Sequence, residues 1–242
     1  MNSHIDRGAL LLTFDDFFVP EWSAARDLLR LYDAHVTFFV SELDRLSDED
    51  WPRLRELAAD GHTVGAHGWR HLNAAVRVAE IGGDAFLREE IDPCVAGLRA
   101  EGLDPRCFAY PVSVRSDATD AVLTEVFGRL RGGCAVPEGM EPAQVDAIFT
   151  SVADLPGRRV LLGAGADNGR NFQPRGLTDV ALAGALHRAA ERNEALTLYA
   201  HAIADTHEAN YITPARLTRL LDLAAELGLP CLAFDDLPLS KM

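Results

Sequence analysis

Short apolar strands alternate with longer helical segments along the whole of this 242-residue chain, and that rhythm narrows the fold more than any other feature. Leu10-Leu11-Leu12-Thr13-Phe14, Val36-Thr37-Phe38-Phe39-Val40 and Ala195-Leu196-Thr197-Leu198-Tyr199-Ala200 are continuous apolar or β-branched runs, the pattern of strands buried on both faces. Comparable runs stand at His62–Ala66, Cys107–Tyr110, Arg159–Ala164 and Cys231–Phe234. Helical spacing fills the intervals: Pro20 to Leu31, Ser47 to Asp60, Val78 to Ala100 with breaking points at Gly82-Gly83 and Pro93, Asp117 to Leu130, Thr178 to Asn193, and Thr213 to Leu227. Strand-helix alternation of this kind predicts a parallel sheet covered by helices. The length fits one α/β barrel, and no repeat or linker divides it, so residues 1–242 are read as one domain. Only Pro137–Pro156 breaks the rhythm, and it reads as a surface excursion.

The strand ends carry the chemistry. Asp15-Asp16 closes the first strand, and ionised carboxylates at the edge of an apolar strand are costly to desolvate unless a cation meets them. Some fifty residues on, Gly61-His62-Thr63-Val64-Gly65-Ala66-His67-Gly68-Trp69-Arg70-His71 places two histidines four apart. One carboxylate with a His-x-x-x-His pair suits a zinc-like divalent ion with a position open for water, and leaves the second carboxylate free to act on that water. His201 ends a later strand, and in a barrel all these strand ends share one mouth. Asp167 also follows a strand and either orients His201 or is an ordinary turn aspartate. Phe234-Asp235-Asp236 repeats Phe14-Asp15-Asp16 with no histidine cluster after it, and is read as a strand end and turn.

Composition mainly excludes. A formal charge of −14 argues against nucleic acid and anionic membrane surfaces as partners. Cys94, Cys107, Cys134 and Cys231 are widely spaced and contain no C-x-x-C, so they are expected to be reduced core residues. No leader pattern or transmembrane-length apolar run is seen, which sets the expectation of a cytoplasmic protein of undetermined oligomeric state.

Thr13-Phe14-Asp15-Asp16 and His67-Gly68-Trp69-Arg70-His71, with their flanks Val36–Val40 and Gly61–Gly65, resemble two motifs of the polysaccharide deacetylases, the NodB-homology or carbohydrate esterase 4 family. The resemblance runs from Gly8 to about Leu237. It implies a distorted (β/α) barrel of seven strands and a metal-dependent hydrolase that removes the acetyl group of an N-acetylated sugar or related substrate. A small non-sugar amide or ureide, or a catalytically silent binding module, are the alternatives. The family pattern implies Asp15 as general base and Asp16, His67 and His71 as ligands of a divalent ion: zinc first, with cobalt, nickel or manganese as alternatives. It also implies His201 as general acid, the Val112 backbone N–H as an oxyanion donor, and Tyr110, Pro111 and Tyr199 as substrate-binding residues. Trp69 either stacks on a sugar ring or packs. Three positions depart from the pattern. Ala109, in Phe108-Ala109-Tyr110-Pro111, stands where an arginine usually partners the base. Gly68 replaces a hydroxyl residue that steadies the metal loop, and Tyr199 replaces a leucine of the acetyl-methyl pocket.

Overall fold

The computed structural model describes residues 5–168 and 177–240. Seven parallel strands close on themselves: β1 (Ala9–Asp16), β2 (Thr37–Val40), β3 (Thr63–Ala66), β4 (Cys107–Ala109), β5 (Arg129–Gly133), β7 (Val160–Gly165) and β8 (Glu194–Ala200). β8 returns to β1 in a register from Ala9↔Ala195 to Phe14↔Ala200, so this is the distorted seven-stranded barrel expected. The distortion lies at β7. Its first four residues pair with β5, only Ala164 and Gly165 reach β8, and a short antiparallel strand, β6 (Phe149–Ser151), covers the start of β8 instead. Among the described residues no helix is long and apolar enough to cross a membrane.

Strand alternation divides the core into two parts. Leu10, Leu12 and Phe14 of β1 face outward into the layer between strands and helices, with Phe38, Leu54 and Leu198. Ala9 and Leu11 face inward with Phe39, Cys107, Ala109, Leu161 and Ala195. Continuous apolar runs are needed because both faces are covered. The helices begin where side chains can cap them. Asn73, Ser116, Thr178 and Thr213 accept the amides of Val76, Thr119, Ala181 and Arg216.

Two segments differ from the sequence expectation, and a third, the helix over Val78–Ala100, is interrupted at the expected Gly82-Gly83 and Pro93. The helix expected over Asp117–Leu130 ends at Thr124, and Arg129–Gly133 is a barrel strand. Its Arg129 and Arg131 face inward, the reverse of the usual apolar-in pattern, so periodicity could not mark it. Cys231–Phe234 makes one bridge, Leu10↔Cys231, before a 3₁₀ turn over Phe234–Asp236. That turn seals the amino-terminal end of the barrel: Phe234 and Asp235 N–H groups donate to Thr37 and Thr63 Oγ1, and the Phe234 ring meets Phe39 edge-on at 5.5 Å. The long helix over Val78–Ala100 is broken into Ala74–Ile81, Gly83–Phe86, a π-helical turn Leu87–Ile91 and Asp92–Ala100.

Candidate active site

The two adjacent aspartates part company at the end of β1. Asp15 continues the inward face and is 4% exposed. Asp16 adopts a left-handed φ of 86°, an uncommon conformation for a residue with a side chain, and turns its carboxylate toward the β3 loop. Its Oδ1 lies 3.5 Å from His67 Nε2 and 3.2 Å from His71 Nε2. Burial raises the Asp16 pKa, but hydrogen bonds from the two imidazoles outweigh it and hold the carboxyl well below the usual carboxylate range. The ligand atoms of Asp16, His67 and His71 all lie within 4.8 Å of one another.

These three residues fit a divalent ion by the chemistry of their donors. His67 Nδ1 sits 2.8 Å from the Ala109 carbonyl, which can only accept, so Nδ1 carries a proton and Nε2, which faces Asp16, is the nitrogen whose lone pair an ion would take in place of a proton. The loop between the histidines is fastened by Glu90, a buried carboxylate from the π-helical turn. Glu90 Oε1 accepts the Arg70 and Leu72 amides at 2.8 and 3.2 Å, Oε2 meets Arg70 Nε at 3.2 Å, and its carbonyl accepts the Trp69 amide. Gly68 lies against it with φ of 87°, and a Cβ there would stand 2.7 Å from Glu90 Oε1. A glycine at position 68 therefore leaves room for the carboxylate that steadies the loop.

Asp15 meets a different cation. Arg131, fully buried inside the barrel, donates from Nη2 to Asp15 Oδ2. Its guanidinium carbon lies 4.8 Å from the centroid of the Tyr199 ring and 5.6 Å from that of Phe39. Arg131 on β5 is the lateral partner of Ala109 on β4. Sequence reasoning missed both Arg131 and Glu90. Arg131 fell just after a helix read through Leu130, and a glutamate in an amphipathic segment carries no signal of its own.

His201 follows β8 and is gripped by Asp167, whose Oδ2 accepts from Nδ1 at 2.7 Å and whose Oδ1 accepts the His201 amide at 3.1 Å. Trp22 Nε1 donates to the His201 carbonyl. Burial works against charge on this imidazole. The hydrogen bond and charge of Asp167 outweigh it, with Asp15 and Asp16 adding to them, and the pKa rises above its ordinary value.

A cavity of ≈ 690 Å³ brings together Asp15, Asp16, His67, His71, His201, Tyr199 and Val112, and adds Asn210 and Cys134. Val112 and Ser113 form its rim at left-handed φ of 50° and 63°, an outlier for the β-branched Val112 and a mark of local strain. Of the other expected substrate contacts, Tyr110 lines the cavity, while Pro111 and Trp69 are not among its lining residues. The Tyr110 ring is buried against Phe108 and its hydroxyl donates to Asp120 at 2.7 Å; burial and Asp120 push its pKa far up. Pro111 is buried in the turn. Trp69 packs toward Gly97 and borders a shallow depression with Arg70, Glu89 and Pro93, outside the cavity.

The polysaccharide deacetylase family profile matches residues 3–126. No curated protein shows significant sequence similarity to the chain. Among solved structures, a Streptococcus mutans CE4 esterase superposes with a TM-score of 0.61 at 17% identity, over 99% of this chain and 88% of that one. The catalytic domain of the Eubacterium rectale peptidoglycan N-acetylglucosamine deacetylase gives 0.58 at 17% identity, over 98% and 93%. The peptidoglycan deacetylase PdaC of Bacillus subtilis gives 0.54 at 16% identity, over 95% and 89%. At these identities the structural likeness speaks to the fold.

Proposed function

The chain belongs to the polysaccharide deacetylase family, and from that premise we propose that it is a metal-dependent hydrolase removing the acetyl group of an N-acetylated amino sugar. The observation that carries the reading is the convergence, in one cavity, of a ligand trio, a separately paired carboxylate and a carboxylate-backed histidine. Asp16, His67 and His71 would hold the ion, zinc being the first choice for two imidazoles and a carboxylate, with cobalt, nickel or manganese also compatible. Bound there, such an ion would supply Lewis acidity to the hydrolysis.

The protein's own groups divide the remaining work. Asp15 takes the proton of the attacking water. The Val112 N–H, on the strained rim, donates to the oxygen that gains negative charge. His201, whose pKa Asp167 raises, acts as the acid and delivers its proton to the departing nitrogen. The related Eubacterium rectale enzyme is a peptidoglycan N-acetylglucosamine deacetylase, which supports an amino-sugar substrate here.

The test is acetate release from N-acetylglucosamine oligomers, before and after chelation and after zinc is restored. Turnover should vanish with the metal and return with it. Asp15→Asn should keep its ion and lose roughly two to four powers of ten in rate, the usual scale for a general base. A variant that turns over at the parent rate, or that loses its ion, contradicts the division of roles.

A further inference from the structure

We propose that Arg131 is a positioning residue that holds Asp15 as proton acceptor and keeps its carboxylate out of the ligand set of Asp16, His67 and His71. The inference rests on the metal-dependent reading above. Asp15 and Asp16 are neighbours at one strand end, and a divalent cation attracts both. The ordinary alternation of a strand does not separate them firmly, because the chain turns at Asp16 into a left-handed conformation. What distinguishes them is the partner each meets: two imidazoles for Asp16 and a guanidinium for Asp15.

Arg131 reaches Asp15 from an unexpected strand. Ala109, its lateral partner on β4, offers only a methyl group to the interior, and its carbonyl is already taken by His67. The guanidinium occupies the interior beside Phe39 and Tyr199. The pair is poorly explained as a stabilising device. Arg131 Nε and Nη1 meet no acceptor among the described residues, and Asp15 Oδ1 meets no donor. An incompletely hydrogen-bonded buried ion pair is a weak source of stability, and apolar residues of similar volume commonly do as well or better. The arrangement instead does what the reaction needs. One carboxylate oxygen is anchored, the other has no partner among the described residues, and the anchor comes from β5, two strands along from the β3 that carries the ligand trio's loop.

The test uses the full chain loaded with Co²⁺, whose visible spectrum reports the number and kind of its ligands, alongside acetate release from N-acetylglucosamine oligomers. In Arg131→Met, Asp15 should swing onto the ion and change the spectrum, and kcat should fall about tenfold to a hundredfold, the usual scale for losing a group that orients a metal site, with KM changing much less. Asp15→Asn/Arg131→Met should show no such spectral change, since the intruding carboxylate is gone. Ala109→Arg/Arg131→Met, which returns a guanidinium from the neighbouring strand, should recover the parent spectrum and most of kcat; a merely structural role would not be rescued this way. If Arg131→Met does not fold, Arg131→Lys takes its place, keeping the charge but not the reach. A parent spectrum with parent kcat in whichever single variant folds overturns the proposal, as does a folded relocation variant that is no better than that single variant. Wild-type protein that binds Co²⁺ but turns over no sugar sinks the catalytic reading alone, and the spectra still decide the role of Arg131. Failure of the wild type to bind Co²⁺ overturns both.

Discussion

His62 should make folding stability fall on acidification, by an amount that can be worked from its surroundings. The ring is buried against β2, just before β3 begins, with Nδ1 accepting the Val36 amide at 3.2 Å and Nε2 buried without an acceptor among the described residues. Its edge meets the Phe38 ring at 5.4 Å. Burial, and then the nearby His35, push its pKa down to about 4. An imidazole in the unfolded chain binds its proton near pH 6.5, so between those values the unfolded state holds more protons and acid favours it. The contribution is fully present above about pH 6.5 and is lost as the pH falls toward 4. At about 1.4 kcal/mol for each pH unit of that gap, the whole swing is about 3 kcal/mol, of which about 2 should appear between pH 7 and pH 4.5. Urea unfolding of the metal-free protein across that range, beside His62→Asn, isolates the effect. Asn Oδ1 can still accept the Val36 amide but does not titrate, and subtraction removes the opposite-signed contributions of His71 and His201, whose pKa values are raised. Wild type should lose about 2 kcal/mol more than the variant. Parallel stability-versus-pH curves would refute the reasoning.

The loop and rim residues carry further expectations. Glu90→Ala should weaken metal binding by about tenfold to a hundredfold in a chelator competition, with Glu90→Gln, which keeps an acceptor for the Arg70 and Leu72 amides, intermediate. Asp167→Asn removes the charge that raises the His201 pKa, so the alkaline limb of the pH–rate profile should move to lower pH; an unmoved limb would show that His201 is not the acid. Gly133→Ala drives a methyl group into the Ser113 side chain and should disturb the Val112 rim, lowering kcat while metal content stays at the parent level.

The parts of the site that were legible in the sequence are those whose chemistry is local in the chain. Asp15-Asp16 and the His67/His71 pair announce themselves because unusual residues stand at strand ends four or fewer apart, and the structure sets Asp16 beside both histidines. His201 and Asp167 were each visible as polar residues after a strand, although their 2.7 Å contact spans 34 positions and no spacing rule reaches that far. Arg131 and Glu90 were hidden for a different reason. An inward-facing arginine inverts the polarity pattern by which a barrel strand is recognised, so the expected helix ran on through Leu130 and no strand was expected at Arg129–Gly133. Glu90 depends on a π-helical turn, which rotates one carboxylate toward the histidine loop and leaves no mark on helical periodicity. Cys231–Phe234 erred the other way: its apolar run suits a strand, but those side chains are spent sealing the barrel end rather than extending the sheet.

The sealed amino-terminal end makes the barrel a cup and not a tube. Phe234 and Leu237 fill the floor beneath Leu11 and Phe39, and Arg129 ties the carbonyls of Leu155 and Pro238 across it. Dissolved ions thus have no rear entrance to the Asp15–Arg131 pair, and under the proposed function a substrate seated in the mouth would close the front one. Mobile salt screens charges only where it can go, over about 8 Å at physiological strength. Raising the ionic strength should consequently alter how fast a charged substrate finds this acidic protein, while the attraction between the two enclosed groups during turnover stays nearly what it was.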